Sequence, residues 1–194
     1  SCSVLPGCAT RKYHSSRRDA FKPINQEPIA HVSLGPDGPS IEMGEPSAFD
    51  ARTEAIAPMM FDESTRIAQF VADAHLQPDM VQAAIDADYD ALLFHGTGLG
   101  HLPIADPQED SPENTRLRVM LADHCAGGGV VVVVTQTIHG PIHMDVYDKG
   151  RDQQEMGIIG HGSLCPPSSA LVKLHHLLSR DEGRDAVAEG WEQD

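Results

Sequence analysis

One stretch of the chain decides the fold: Ala91-Leu92-Leu93-Phe94-His95-Gly96-Thr97-Gly98-Leu99-Gly100-His101-Leu102-Pro103. It opens as a short apolar run, typical of a buried parallel strand, and then enters a glycine-rich loop. Glycine at 96, 98 and 100 lets the backbone approach a small ligand and adopt positive φ. A dinucleotide-binding G-x-G-x-x-G loop is excluded, because position 101 is histidine and Pro103 interrupts the required helix. A plain strand-to-helix connection remains an equal alternative.

Strands and helices alternate on both sides of this stretch. Their order predicts a three-layer α/β domain with a parallel sheet between helices. Ligands on such sheets bind at the carboxyl ends of the strands, where the loops at 95–101 and 135–147 both lie. Predicted strands cover residues 66–71, 91–95, 130–134 and 158–159, and predicted helices begin at Pro78, Pro112 and Pro167, with a short helix ending at Gly157 and a weakly helical, fraying tail at 181–194.

The amino-terminal part has a different character. Residues 1–34 hold a basic island and suggest an irregular segment that leads into a short edge strand. Gly35-Pro36-Asp37-Gly38-Pro39 is a turn signal. We therefore expect an amino-terminal domain remnant at 1–34, a linker or hairpin at 35–60 and the α/β domain at 61–194.

The charge and cysteine content narrow the function classes. The chain has 14 Lys and Arg against 29 Asp and Glu, a net charge of −15. This balance argues against free-standing nucleic-acid binding and suggests a high-salt cytoplasm. The four cysteines form no C-x-x-C pair, so reduced thiols are expected. No apolar run reaches membrane-spanning length, and no membrane partner is expected.

Eleven histidines raise the question of a metal site. His139 and His143 have H-x-x-x-H spacing, but Pro141 lies between them and argues against a helix. His175 and His176 are adjacent and point in different directions. Since no carboxylate spacing completes a zinc site, no metal is expected. A Ser/His/Asp triad has still less support, because no G-x-S-x-G elbow is present.

Lys12 is the candidate catalytic base. Arg11, Arg17 and Arg18 are close to it in sequence, and like charges or burial would lower the pKa of a lysine toward useful base strength. A solvated basic surface is the stronger alternative on spacing alone. Contact with RNA phosphates inside a larger complex is another.

Four blocks resemble the asparaginase-type amidohydrolases, most of all the branch formed by the D subunits of archaeal glutamyl-tRNA(Gln) amidotransferases. The resemblance covers essentially the whole chain but only the carboxyl-terminal part of the family's length. The blocks are Arg11-Lys12-Tyr13-His14-Ser15-Ser16-Arg17-Arg18-Asp19-Ala20-Phe21-Lys22-Pro23-Ile24-Asn25; Tyr89-Asp90 with Gly96-Thr97-Gly98-Leu99-Gly100-His101; Val146-Tyr147-Asp148-Lys149-Gly150-Arg151-Asp152; and Ala170-Leu171-Val172-Lys173-Leu174.

The resemblance implies a flavodoxin-like carboxyl-terminal domain, preceded by a remnant of the larger amino-terminal asparaginase α/β domain. It implies amide hydrolysis by a threonine nucleophile, a second Thr-Asp pair and a lysine, which maps onto Lys12. Gly96, Thr97, Gly98, Gly100 and His101 would then lie near substrate across a homodimer interface. An E-type partner, which binds tRNA and uses ATP and magnesium, would convert Glu-tRNA(Gln) to Gln-tRNA(Gln) with ammonia from glutamine or asparagine, and this chain would bind no cofactor.

The chain also departs from the family pattern. It has no T-G-G-T-I segment and no second Thr-Asp motif, so we expect it to be a fragment that is inactive alone. Gly140-Pro141-Ile142-His143-Met144-Asp145 stands where the family tends to read G-R-V-N-M-N, and residues 161–169 replace a D-M-x-P-E-x stretch. A stand-alone asparaginase and a non-catalytic binding or assembly module are the alternatives.

Overall fold

The computed structural model describes residues 1–44, 58–180 and 183–192. The chain divides into two compact units, Ser1–Met59 and Met60–Asp194. The assignment of residues 1–34 to an amino-terminal domain and of 35–60 to a linker stays a prediction. Residues 45–57 of that linker lie outside the described residues.

The described residues of the first unit form five strands, where the sequence predicted one edge strand within residues 1–34 and a linker or hairpin from residue 35. The strands are β1 (Cys2–Val4), β2 (Thr10–Lys12), β3 (Phe21–Pro23), β4 (Ala30–Gly35) and β5 (Gly38–Met43). β4 and β5 form a hairpin around the expected turn, in a sheet of order β1, β4, β5, while β2 and β3 form a separate antiparallel pair. Leu34, Ile41 and Met43 of the hairpin are exposed.

The second unit is built on a parallel sheet, as predicted. The described residues of this unit form three sheet strands, β6 (Ile67–Val71), β7 (Ala91–Gly96) and β8 (Val130–Thr135). Neighbours run in the order β6, β7, β8, and in the register Phe70 lies beside Phe94, which lies beside Val133. The predicted strand at 158–159 is reduced to a parallel bridge between Val132 and Ile159.

The valines of β8 show how deeply this strand is buried. Val131 and Val133 belong to one buried cluster, whereas Val130, Val132 and Val134 belong to a second one. Side chains alternate across a strand, so both faces of the sheet are covered. The β-branched side chains also favour the extended backbone. The continuous apolar run therefore follows from burial on both sides, as expected of a parallel sheet.

Helices cover the sheet on both faces. They are α1 (Pro78–Asp86), α2 (Pro112–Ala126), α3 (Asp148–Glu155), α4 (Pro167–Leu178) and α5 (Gly183–Glu192). The helices α1 and α2 begin with proline at their first position, where its missing N–H costs no hydrogen bond. Val81 of α1 and Leu117 of α2 pack on the Val131 face, whereas Leu174 of α4 packs on the other. This confirms the three-layer α/β prediction.

The acidic tail differs from the prediction of a fraying segment. Its described residues form α5, in which Val187 and Trp191 are buried in the same cluster as Leu174 of α4. Lys173 Nζ donates to the Trp191 carbonyl oxygen at 3.0 Å and lies 5.3 Å from the indole centroid. The acidic composition of the tail gave no indication of this packing, because only two of its residues are buried. They lie four positions apart, on one face of the helix.

None of the helices in the described part of the chain has both the length and the apolar character needed to cross a membrane.

The packing of α5 predicts that Val187→Ala destabilises the second unit. Val187 is 1% exposed, so its truncation loses apolar burial and leaves a cavity, at a cost of about 2 kcal/mol. Urea unfolding followed by the fluorescence of Trp191, the single tryptophan, measures this change directly.

The matched control is Val172→Ala on α4, where the side chain is 56% exposed. Its cost should stay within about 0.5 kcal/mol. Equal unfolding midpoints for the two variants would show that α5 is not packed as described.

Candidate functional site

The glycine loop after β7 is closed by its own backbone. The Thr97 N–H donates to the His101 carbonyl, and the His101 N–H donates to the Thr97 carbonyl, both at 2.9 Å. Gly98 and Gly100 have φ of 50° and 97°, in the left-handed region that favours glycine. The positive φ predicted for the loop is therefore present at two of its three glycines.

The three glycines have different structural roles. A Cβ at Gly96 would lie 2.6 Å from the Gly100 carbonyl carbon, and one at Gly100 would lie 2.6 Å from Ile142 Cδ1. A Cβ at Gly98 would meet no described atom within 4 Å. Gly96 and Gly100 thus serve close packing within the protein, and Gly98 is the glycine that offers open space to a ligand.

The two loops predicted at the carboxyl edge of the sheet do meet. Thr135, the last residue of β8, donates from Oγ1 to the Gly98 carbonyl at 2.5 Å. The His143 N–H donates to the Leu99 carbonyl at 3.1 Å. Neighbouring parallel strands end at the same edge, so the topology itself places these segments together.

Gln153 on α3 forms two hydrogen bonds to the backbone of the glycine loop and of the residue that follows it. The sequence analysis did not identify this residue. It is fully buried, its Oε1 accepts from the Leu102 N–H at 2.9 Å, and its Nε2 donates to the Gly100 carbonyl at 3.0 Å. A buried amide that satisfies two backbone groups fixes their positions. Its partners lie 51 and 53 residues away, so only its place on the buried face of α3 could have indicated it.

His101 is buried beneath the loop, whereas Thr97 and Gly98 are exposed. Its ring meets the Tyr147 ring edge-on, with centroids 5.4 Å apart. Nε2 of His101 is buried and makes no hydrogen bond to any atom in the described ranges. Burial lowers the pKa of His101, and the nearby Lys149 lowers it further. The imidazole is therefore held neutral with one ring nitrogen unsatisfied.

Lys12 lies in the first unit, at the end of β2 opposite Phe21 of β3. It is exposed, and its Nζ lies 5.9 Å from the Phe21 ring centroid. Arg17, one of the predicted cationic neighbours, instead donates to both oxygens of Asp19 at 2.8 and 2.7 Å. This contact lowers the pKa of Asp19.

Three side chains that can bind a metal ion lie close together in the second unit, in and near the loop after β8. His143, Asp145 and His161 place ligand atoms within 4.8 Å of one another. The spacing considered in the sequence, His139 with His143, is not the grouping that the fold brings together.

The carboxyl-terminal α/β domain has a counterpart among known families. The family model described as the glutaminase/asparaginase C-terminal domain matches residues 66–189. The chain belongs to the glutaminase/asparaginase family. This confirms the resemblance found in the sequence blocks and the fold class expected from it.

Relatives in this family include components of a tRNA-dependent enzyme. The D subunit of glutamyl-tRNA(Gln) amidotransferase from Methanococcus maripaludis is 31% identical over 91% of this chain and 39% of its own length. The corresponding D subunit from Haloquadratum walsbyi is 30% identical over 92% of this chain and 37% of its own length. The chain thus spans about two fifths of the length of these relatives.

Solved asparaginases share the fold. The L-asparaginase from Thermococcus kodakarensis aligns with a TM-score of 0.76, at 23% identity, over 99% of this chain and 53% of its own. L-asparaginase I from Vibrio cholerae aligns with a TM-score of 0.77, at 22% identity, over the same shares of the two chains. The functional roles of Lys12 and the glycine-loop residues stay predictions.

Replacing Gln153 by leucine should destabilise the glycine loop and the second unit. The change leaves the Leu102 N–H and the Gly100 carbonyl buried without their partner, at a cost of about 2–4 kcal/mol. Urea unfolding and amide exchange of the loop measure the effect. Gln154→Leu on the same helix is the control, because its amide bonds an exposed carboxylate, and an equal loss there would contradict the anchoring role.

His101 predicts a pH dependence of stability. The pKa of His101 in the folded protein lies below the ordinary value of 6.5. Its contribution to the free energy of unfolding is therefore complete above pH 6.5, and it is lost as the pH falls from 6.5 through the lower folded pKa. His101→Leu should therefore lose less unfolding free energy than wild type across this interval. His139→Leu, an exposed control, should keep the wild-type slope. Parallel curves for His101→Leu and wild type would show that His101 does not contribute.

Proposed function

We propose that this chain is the carboxyl-terminal part of the ammonia-releasing, asparaginase-like subunit of a tRNA-dependent amidotransferase. The observation that carries the proposal is the match to several D subunits over nine tenths or more of this chain. The complete enzyme would convert Glu-tRNA(Gln) to Gln-tRNA(Gln). Membership in the asparaginase family supports the amide-hydrolysing half of this reaction.

Lys12 is proposed as the catalytic lysine. It would deprotonate the hydroxyl of a threonine nucleophile or assist a second Thr-Asp pair. Its exposed position at the end of β2 leaves the ammonium group accessible to groups outside the first unit. The threonines would belong to the part of the relatives' length that this chain does not span, and we therefore propose that the chain is inactive alone.

The glycine loop is proposed to approach substrate across a homodimer interface. Thr97 and Gly98 are its exposed residues, and open space around Gly98 supports a role in contact with a ligand or a second subunit. Gly96, Gly100 and His101 would act beneath them, by fixing the conformation of the loop.

The exposed apolar residues of the β4–β5 hairpin fit the proposal that this chain is one part of a longer subunit. Leu34 and Met43 are 83% and 68% exposed, and apolar patches of this kind mark surfaces that another part of a protein covers. The proposed cover is the remaining part of the amidotransferase subunit.

The proposed partners follow from the same assignment. They are glutamine or asparagine as amide donor, an E-type subunit in a heterotetramer built on the homodimer, and tRNA held through that subunit. ATP and magnesium would be used by the E-type subunit. A cytoplasmic enzyme of a halophilic archaeon would account for the net charge of −15.

The decisive experiment measures ammonia released from glutamine and from asparagine. The chain is assayed alone and mixed with the part of the Haloquadratum walsbyi D subunit that it does not match. Activity is expected only in the mixture, and Lys12→Met should lower it by about 10²–10⁴-fold, since a lost general base has effects of this size.

Lys22→Met is the matched control, because Lys22 is an exposed lysine on the paired strand β3. It should retain the activity of the mixture. Equal losses in the two variants would contradict the role of Lys12. Activity in the mixture, without co-purification of an E-type subunit and tRNA, would favour a stand-alone asparaginase. A folded, associated but inactive mixture would favour a non-catalytic assembly module.

A further inference from the structure

Two segments that are distant in the chain bring three potential metal ligands together. His143 and Asp145 belong to the loop after β8, and His161 follows the bridge at Ile159. One ligand atom from each residue lies within 4.8 Å of the other two. All three side chains are exposed, so an ion could reach them from solvent.

The His161 ring of this cluster is bonded to the backbone and lies beside the other two side chains. His161 Nδ1 accepts a hydrogen bond from the Met144 N–H at 3.1 Å, and its Nε2 lies 3.4 Å from Asp145 Oδ2. The rings of His143 and His161 meet edge-on with centroids 5.5 Å apart. Both imidazoles therefore lie beside the same carboxylate.

Helix α3 orients the carboxylate. Gln154 Nε2 donates to Asp145 Oδ1 at 2.9 Å, and Arg151 Nη1 donates to the Asp145 carbonyl at 2.7 Å. The second oxygen, Oδ2, faces His161. One oxygen of the Asp145 carboxylate is thus held by a neighbour, as outer-shell partners hold ligating carboxylates.

We propose that His143, Asp145 and His161 form a binding site for one divalent transition-metal ion. Two imidazoles and one carboxylate form a donor set that suits zinc, with a fourth position open to water. Binding of this ion would also affect the position of the glycine loop, because the His143 N–H donates a hydrogen bond to the Leu99 carbonyl.

Metal binding must change the hydrogen bonding of His161. Because Nδ1 accepts from Met144, the neutral ring carries its proton on Nε2, which faces Asp145. Coordination through Nε2 moves that proton to Nδ1, and coordination through Nδ1 uses the accepting lone pair. Either way the Met144 N–H loses its acceptor. The metal-bound protein should therefore exchange the Met144 amide faster than the metal-free protein.

The test uses the full chain without an affinity tag, stripped with a chelator and kept reduced. Titration calorimetry with zinc and the visible absorption of cobalt should give one ion per chain. His143→Asn, Asp145→Asn and His161→Asn should each weaken binding by at least about tenfold, since metal sites respond to lost ligands at least as strongly as to lost outer-shell partners. His139→Asn, an exposed histidine of the same loop outside the cluster, should bind as wild type does.

Hydrogen exchange at Met144 provides a second readout in the wild-type protein. Zinc should accelerate exchange at this amide, a result that does not depend on any variant folding. Absence of zinc binding to wild type would overturn the proposal. Equally tight binding in the His143→Asn/His161→Asn double variant would also overturn it, because the ion would then be bound elsewhere, for example by the cysteine thiols. Zinc binding that leaves the exchange rate of the Met144 amide unchanged would overturn it as well.

Discussion

The second unit depends on the burial of β8 on both faces. A strand whose successive valines enter two different apolar clusters can lie only between two layers of helices. The strand pairs in parallel with β7 and through a parallel bridge with Ile159. Because parallel strands end at one edge, it also brings the loops after β7 and β8 together. The candidate site is thus a consequence of how this strand is buried.

The glycine loop is rigid because its polar groups are used internally. Its backbone closes on itself between Thr97 and His101, and Gln153 and Thr135 bind its carbonyls from two other elements. Thr97 and Gly98 form its exposed tip. A preorganised loop of this kind can contact a ligand or a second subunit with a smaller loss of conformational entropy.

The loop after β8 contributes its backbone and its side chains to different contacts. The loop backbone binds the glycine loop through His143, as the topology requires, while the side chains of His143, Asp145 and His161 form a separate cluster. In the first unit, Lys12 is exposed on a short strand pair, and the hairpin exposes large apolar side chains. The first unit therefore offers surfaces for further contacts.

The sequence by itself determined the α/β class, the three strands of the sheet, the proline-initiated helices and the family, because hydrophobic periodicity and block order are local properties of the chain. The folded structure alone decided the roles of Gln153 and Trp191, the different roles of Gly96 and Gly98, and the convergence of His143 with His161. These depend on contacts between residues distant in sequence. Side chains separated by many residues meet only after burial of the sheet has set the positions of the elements that carry them.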